Sequence, residues 1–333
     1  MLIYIFRRFL YMVLVLFIIS FISFVIIQLP PGDYVTSRIL QLQLSGAQVN
    51  EAEVISLKKQ YGLDLPFHQQ YLKWVWNMLH GDFGRSFMWQ KPVSELIGER
   101  LLLSMVVSIC SLLISYLIAV PVGIFSATHQ YSFGDYLFTV VGFIGLAVPS
   151  FLIALILLFF SYKYLGLNLT GLFSPEFTQA PWSWAKLADL LKHLPIPVII
   201  VGMAGTAYLI RVMRGCLLDE LKKQYVVTAR AKGVSENALL FRYPVRIAIN
   251  PIISTVGWIL PQIISGETIV AMVLNLPTTG PLLFHALMGQ DMYLAGSFVM
   301  ILSFFTVIGT FLSDMLLVWV DPRIRMEKRG GGR

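Results

Sequence analysis

With 333 residues, 57% of them hydrophobic and only 13% charged, and a mean hydropathy of +0.74, the chain carries far less charge than the roughly 25% usual in soluble domains. Its apolar residues run in stretches too long for core strands, which excludes a soluble globular fold and leaves an all-α polytopic membrane protein. The net charge of +7 does not indicate a nucleic-acid partner, because Lys and Arg gather at the ends of apolar runs, where membrane topology accounts for them.

Crossing the roughly 30 Å hydrocarbon layer takes about 20 apolar residues. Phe9–Gln28 meets that requirement, with no charge between Arg8 and Asp33. Its basic start suits a signal peptide, but Ile27-Gln28-Leu29-Pro30 has no small-x-small cleavage site, so a retained anchor is expected. Residues 30–100 then form the largest extramembrane segment. Periodicity and glycine stops predict a short helix over Asn50–Tyr61 and a longer one over Phe67–His80, closed by Gly81. Phe67, Tyr71, Trp74, Val75 and Met78 share one face of the longer helix. That face is expected to pack on the outer ends of the spans, leaving the opposite face and the loop Asp82–Gln90 for an external partner.

Further spans are predicted at Leu101–Thr128, Tyr136–Tyr162 and Leu194–Ile210, the last extended by Arg211 and Arg214 snorkelling towards headgroups. Ile247–Leu274 is interrupted by Asn250, Pro251, Pro261, Gln262 and Glu267, and Met292–Ser313 is clean, giving six. Between the fourth and fifth lies a basic island, Asp219–Pro251, with Lys222, Lys223, Arg230, Lys232, Arg242 and Arg246 against Asp219, Glu220 and Glu236. Such an excess belongs on the cytoplasmic side. Arg7–Arg8 and the basic tail after Asp321 belong there too, and the even number of spans between these markers agrees. The outer loop Gly166–His193, with Trp182 and Trp184, fits an interfacial re-entry segment. Within the island, Asp219 is expected to cap a helix running to Lys232, Gly233 to end it in the left-handed region, and Ser235 to cap a second helix stopped by Pro244. Two short helices on the inner face suit a docking surface for a cytoplasmic partner.

The chemistry is sparse. No GxxxxGK[ST] occurs and Gly-Lys is absent altogether, so the chain has no P-loop with which to hydrolyse a nucleotide. His68, His80, His129, His193 and His285 lack ligand spacing, no HExxH or GxSxG is present, and Cys110 and Cys216 read as small buried residues. No catalytic constellation or metal site is therefore expected. Among intramembrane polar groups, Glu267 and Gln262 in the interrupted fifth span are candidate pathway-lining residues. Pro149, one of several prolines where helices can break along a moving path, joins them; Asp314 reads as structural.

Thr228-Ala229-Arg230-Ala231-Lys232-Gly233, followed by Arg242, Arg246 and Asn250-Pro251, resembles the EAA segment of ABC importer permeases, in particular the oligopeptide/dipeptide/nickel branch. Further matches are Leu29-Pro30-Pro31-Gly32-Asp33, Tyr61-Gly62-Leu63-Asp64, Gly81-Asp82-Phe83-Gly84-Arg85-Ser86, Pro92-Val93, Glu99-Arg100-Leu101, Glu267-Thr268, Gly280 and Asp321-Pro322-Arg323-Ile324-Arg325. Their order and spacing are more specific than any one of them. Two departures stand out. Val227 occupies the place of the general motif's glutamate, and Asn275-Leu276-Pro277-Thr278-Thr279-Gly280 differs from the Phe-x-x-Pro-Gly-x-Gly pattern of peptide permeases.

The resemblance implies a type I (MetI-like) permease fold of six transmembrane helices with a helical extracytoplasmic segment after the first. The domain order would be an anchor (1–29), that segment (30–100), a five-span core (101–320) with coupling helices at 219–243, and a cytoplasmic tail (321–333). Thr228, Ala229, Arg230, Ala231, Lys232, Gly233, Val234 and Ser235 would couple the permease to an ATPase. Implied partners are a second similar permease, two cytoplasmic ABC ATPase subunits, an extracytoplasmic substrate-binding protein and membrane lipid. ATP would be bound by the partner subunits, and this chain would hold no cofactor. The setting would be a bacterial or archaeal inner membrane with both termini cytoplasmic, and the cargo a peptide or a similar small oligomer such as an oligosaccharide. A secondary carrier or channel working without ATP is the competing expectation.

Overall fold

The computed structural model describes residues 2–28, 59, 65–86, 88–166, 169–255, 268–289 and 291–320. In chain order its named α-helices are α1 (Leu2–Gln28), α2 (Phe67–Leu79), α3 (Val93–Thr128), α4 (Phe133–Ala147), α5 (Ser150–Phe160), α6 (Trp184–His193), α7 (Pro195–Leu221), α8 (Gln224–Ala231), α9 (Glu236–Arg242), α10 (Pro244–Ala248), α11 (Thr268–Val273), α12 (Thr279–Met288) and α13 (Met292–Val320). Two compact units divide the chain, one of residues 1–102 and 281–305, the other of 103–280 and 306–333. Of the short helix expected at Asn50–Tyr61, only Lys59 is among the described residues.

Four helices, α1, α3, α7 and α13, contain stretches long and apolar enough to cross a membrane. The expected span Tyr136–Tyr162 is not one straight helix: α4 and the run Ser150–Leu165 meet at 100°. The cause is local. A residue before proline is pushed out of the helical region, and Val148 accordingly sits at φ −93°, ψ 125°, with Pro149 also extended at ψ 131°. Pro121, by contrast, lies inside α3 without ending it. The fifth expected span is described only at its ends, since residues 256–267 fall outside the described set.

In the unit of residues 1–102 and 281–305, α2 packs on α1 through the face read from the sequence. Phe24, Tyr71 and Trp74 are buried together, with Val75 and Met78 against them. The Tyr71 and Ser20 hydroxyls share a hydrogen bond of 2.8 Å. Phe67 stays half exposed, although its ring reaches Phe24 at 5.2 Å between centroids. The helix ends in a Schellman turn: Gly81 takes φ +80°, its N–H donates to the Met78 carbonyl and that of Asp82 to Asn77. The following loop is pinned from below. Asp291 is fully buried, accepts from the Ser86 hydroxyl and the Met88 N–H at 3.1 Å, and caps α13 by accepting from the Leu294 N–H at 3.2 Å. Val93, Ile97, Leu282, Leu294 and Phe298 form the apolar core around it.

In the other unit, α3 carries a polar seam. Ser104, Ser108, Ser111 and Ser115, spaced by four, three and four, are all buried. Ser111 donates to the Val198 carbonyl and Ser115 to that of Gly202, both at 3.1 Å, while Ser104 accepts from the Thr279 N–H at 2.8 Å. Lipid supplies no hydrophobic drive between helices, so close backbone approach and such bonds hold them together. Gly202 makes the approach possible: a Cβ there would lie 2.9 Å from the Ser115 hydroxyl and 3.2 Å from the Ser111 carbonyl oxygen. Gly202→Leu should therefore destabilise the protein by about 1–3 kcal/mol through overpacking. Thermal unfolding of the purified protein in detergent checks this, and an unchanged midpoint would contradict the close α3–α7 contact.

The loop expected to re-enter the interface is a 3₁₀ turn at Pro175–Phe177 followed by α6. Lys186, only 2% exposed, donates to the Ala180 carbonyl at 2.7 Å, and its ammonium lies 4.9 and 5.1 Å from the Phe173 and Trp182 ring centroids. Burial opposes ionisation of Asp189, yet hydrogen bonds from the Ser174 backbone and hydroxyl hold its carboxyl below the ordinary range. Both contacts fasten α6 to the loop ahead of it. Cys110 and Cys216 are free, half-buried thiols.

Candidate functional site

The basic island begins later than its sequence suggests. Asp219 does not cap a helix but lies inside α7, which continues to Leu221. The chain breaks at Lys223 (φ −71°, ψ 147°), and α8 starts there without a side-chain cap. Buried Leu217 and half-buried Leu221 pack in the apolar cluster beneath and carry α7 past Asp219. The Tyr225 hydroxyl reaches back across the break to donate to Glu220 at 2.5 Å.

The end of α8 is as expected. Gly233 has φ +78°, the left-handed region where only glycine pays no Cβ penalty. Its N–H donates to the Arg230 carbonyl at 3.0 Å and the Val234 N–H to that of Ala229 at 3.3 Å, which completes a Schellman turn. The apolar contact that accompanies such turns is present too: Val226, Ala229 and Leu239 are buried together, with Tyr225, Val234 and Tyr243 against them. The second helix, α9, starts after Ser235, whose hydroxyl makes no capping bond. An ion pair across the turn ties it down instead. Arg230 grips Glu236 in a fork, Nε to Oε1 at 2.6 Å and Nη2 to Oε2 at 3.1 Å. The Arg230 guanidinium holds the exposed Glu236 carboxyl below its ordinary value.

All eight predicted coupling residues thus meet at one helix–turn–helix, but their roles divide. Ala229 and Val234 face inward. Thr228, whose hydroxyl returns to the Gln224 carbonyl at 2.8 Å, is exposed with Arg230, Ala231, Lys232, Gly233 and Ser235. Val227, where a glutamate would fit the general motif, is exposed as well. The segment is rooted by α10: Val245 and Ala248 are buried with Leu209, Met213 and Leu217 of α7 and with Leu112, Ala119 and Ala127 of α3. Leu240 of α9 packs against the same cluster, so the turn continues into packed spans rather than into a loose loop.

Sequence reasoning missed a charged contact nearby. Arg214, expected to reach for headgroups, instead donates Nε to Asp135 Oδ1 at 3.0 Å and Nη2 to Oδ2 at 2.9 Å; Arg211 is exposed. The only sequence hint was Ser132-x-x-Asp135 before an apolar run, a capping pattern, which places Asp135 but not its partner. Of the pathway candidates, Pro149 is exposed at the bend between α4 and α5, whereas Gln262 and Glu267 lie outside the described residues.

Residues 119–326 match the family described as binding-protein-dependent transport system inner membrane component, and residues 1–110 match the N-terminal region described for the membrane components of such systems. The chain belongs to this family. It is 35% identical over 322 residues to the oligopeptide transport system permease protein AppB of Bacillus subtilis, covering 96% of this chain and 98% of that protein. It is 32% identical to the peptidoglycan transport system permease protein YejB of Agrobacterium fabrum, over 98% of this chain and 99% of the relative. Identity is again 32%, with the same coverage, to the inner membrane ABC transporter permease protein YejB of Escherichia coli O157:H7. The permease is thus a multi-pass inner-membrane subunit of a binding-protein-dependent ABC importer of the peptide/dipeptide/nickel type. Such a permease works with an ATPase and a substrate-binding protein and belongs to the membrane components, which are not themselves the ATPases.

Proposed function

We propose that the permease imports peptides, and that the turn between α8 and α9 is where the ATPase subunit grips it. The single observation carrying the coupling role is that this exposed, basic turn is closed and rooted: it combines a Schellman closure, the Arg230–Glu236 fork and the α10 anchor. Relatives named for oligopeptide and peptidoglycan transport support peptide-type cargo. In the full assembly, a second similar permease completes the pathway, and two ATPase subunits supply the energy and hold the ATP. The N-terminus, the turn and the tail face the cytoplasm, and the segment at 30–100 faces the binding protein. Closure of the ATPase dimer would displace α8 and α9 together and rock the attached spans between inward- and outward-open states. Gln262, Glu267 and Pro149 remain the pathway candidates.

Ala238 is exposed on α9, whereas Val234 packs inward, so a cysteine at 238 is the informative probe. In the assembled importer, Ala238→Cys is expected to crosslink to the ATPase subunit and to resist impermeant thiol reagents added outside intact cells. Labelling from outside would overturn the topology, and failure to crosslink in an active importer would overturn the docking role. The cargo is read separately, by calorimetry of the cognate binding protein with peptides, peptidoglycan fragments and oligosaccharides. Uptake by this chain in vesicles lacking the ATPase would instead establish a secondary carrier.

A further inference from the structure

The Asp135–Arg214 pair lies seventy-nine residues apart in sequence and at a mechanically telling place. Asp135 is 3% exposed and saturated: besides both bonds from Arg214 it accepts from the Tyr131 N–H at 3.0 Å, and its own N–H donates to the Ser132 hydroxyl, which caps α4. Tyr131 is held at φ +62°, a region disfavoured for a bulky residue and maintained where surrounding bonds over-determine it. Arg214 sits two turns before the end of α7, one residue from Met213 and three from Leu217, both buried against α10. The same corner is packed without slack. A Cβ on Gly123 would lie 2.6 Å from that of Met213, and one on Gly134 would lie 2.5 Å from the Phe125 ring.

Removing two charges from water is costly, and a pair so placed is weak evidence for stability alone. A bidentate guanidinium–carboxylate contact does supply fixed geometry. Resting on the coupling role argued above, we propose that Asp135 and Arg214 are positioning residues that clamp α4 to α7. Displacement of the α8–α9 turn then swings the bent α4–α5 segment along with α7. Without the clamp, the close packing of Gly142 and Gly145 against Met203 and Ala207 would still join α4 to α7, but with no directional bond to fix their register. ATP would still be hydrolysed, but the spans around the Pro149 bend would follow α7 less completely.

The test uses the complete importer reconstituted in proteoliposomes. Asp135→Asn keeps the acceptor for the Tyr131 N–H and the shape of the corner but removes the charge. Arg214→Lys keeps the charge but removes the fork. Both are measured for peptide taken up per ATP hydrolysed, for thermal stability, and for Ala238→Cys crosslinking to the ATPase. The expected result is a fall of about fivefold or more in uptake per ATP for Asp135→Asn, a smaller fall for Arg214→Lys, and crosslinking as in the parent. Unchanged uptake per ATP in Asp135→Asn would overturn the clamp. Parallel loss of uptake, hydrolysis and thermal stability would overturn it too, by showing a purely structural pair. Loss of crosslinking in the otherwise unaltered Ala238→Cys parent would count against the coupling role instead, so the two failures are distinguishable.

Discussion

Gly233→Val should strongly impair import while leaving the chain inserted in the membrane. A Cβ at this position meets nothing within 4 Å, so the cost is not a clash. It is the backbone: φ +78° places an L-residue in the left-handed region at about 1–2 kcal/mol, and a β-branched side chain is the worst choice there. The turn can relieve that strain by abandoning its two closing bonds, Gly233 to Arg230 and Val234 to Ala229. Val234 then leaves the small apolar cluster, and the Arg230–Glu236 fork loses its register. A penalty of this size depletes the docked geometry by about 5- to 30-fold, and uptake should fall accordingly, with less ATPase copurifying. Gly233→Asn, which tolerates the left-handed region, should retain most activity. Both are measured as peptide uptake in cells and ATPase recovered with the affinity-purified permease. Wild-type behaviour of the valine variant would remove the turn from the mechanism.

Asp291→Ala should severely damage the unit of residues 1–102 and 281–305. It leaves the Ser86 hydroxyl and the Met88 N–H without their carboxylate acceptor in a buried setting and takes the cap from α13. Charge-assisted bonds, unsatisfied donors and a lost N-cap together predict a loss of about 3–5 kcal/mol. The freed loop between Asp82 and Gln90 should become a site of limited proteolysis. Asp291→Asn keeps an acceptor oxygen and should recover part of the loss. Thermal unfolding and protease mapping of the purified protein read both variants, and an alanine variant as stable and protease-resistant as the parent would show that the carboxylate does not fasten the loop.

Much of this was legible in the chain because it depends on nearest neighbours. The amphipathic face of α2 follows from helical spacing, and the ends of α2 and α8 follow from Gly81 and Gly233, since a left-handed residue is required where a helix turns away. Pro244 stops α9 by the same local logic. Where a neighbour exerted competing effects, the local reading failed. Asp219 is a good cap in isolation, but Leu217 and Leu221 had core to occupy, so α7 ran on and the break moved to Lys223. Pro149 was visible as a weak point, and the extended backbone of Val148 and Pro149 makes the break local, but the 100° angle could not be read from the proline alone.

The sequence by itself determined that this is a charge-poor, multi-span helical protein with a basic, twice-punctuated island, because hydropathy, charge bias and glycine and proline stereochemistry act within a few residues. It also carried the family's signature along nearly its whole length. Only the tertiary structure decided that the island is rooted in the spans by α10, that three serines of α3, Ser104, Ser111 and Ser115, bond the backbone of neighbouring helices, and that Asp135 meets Arg214 and Ser86 meets Asp291. Those pairings join residues tens to hundreds of positions apart, and their partners are chosen by helix packing, which no local pattern encodes.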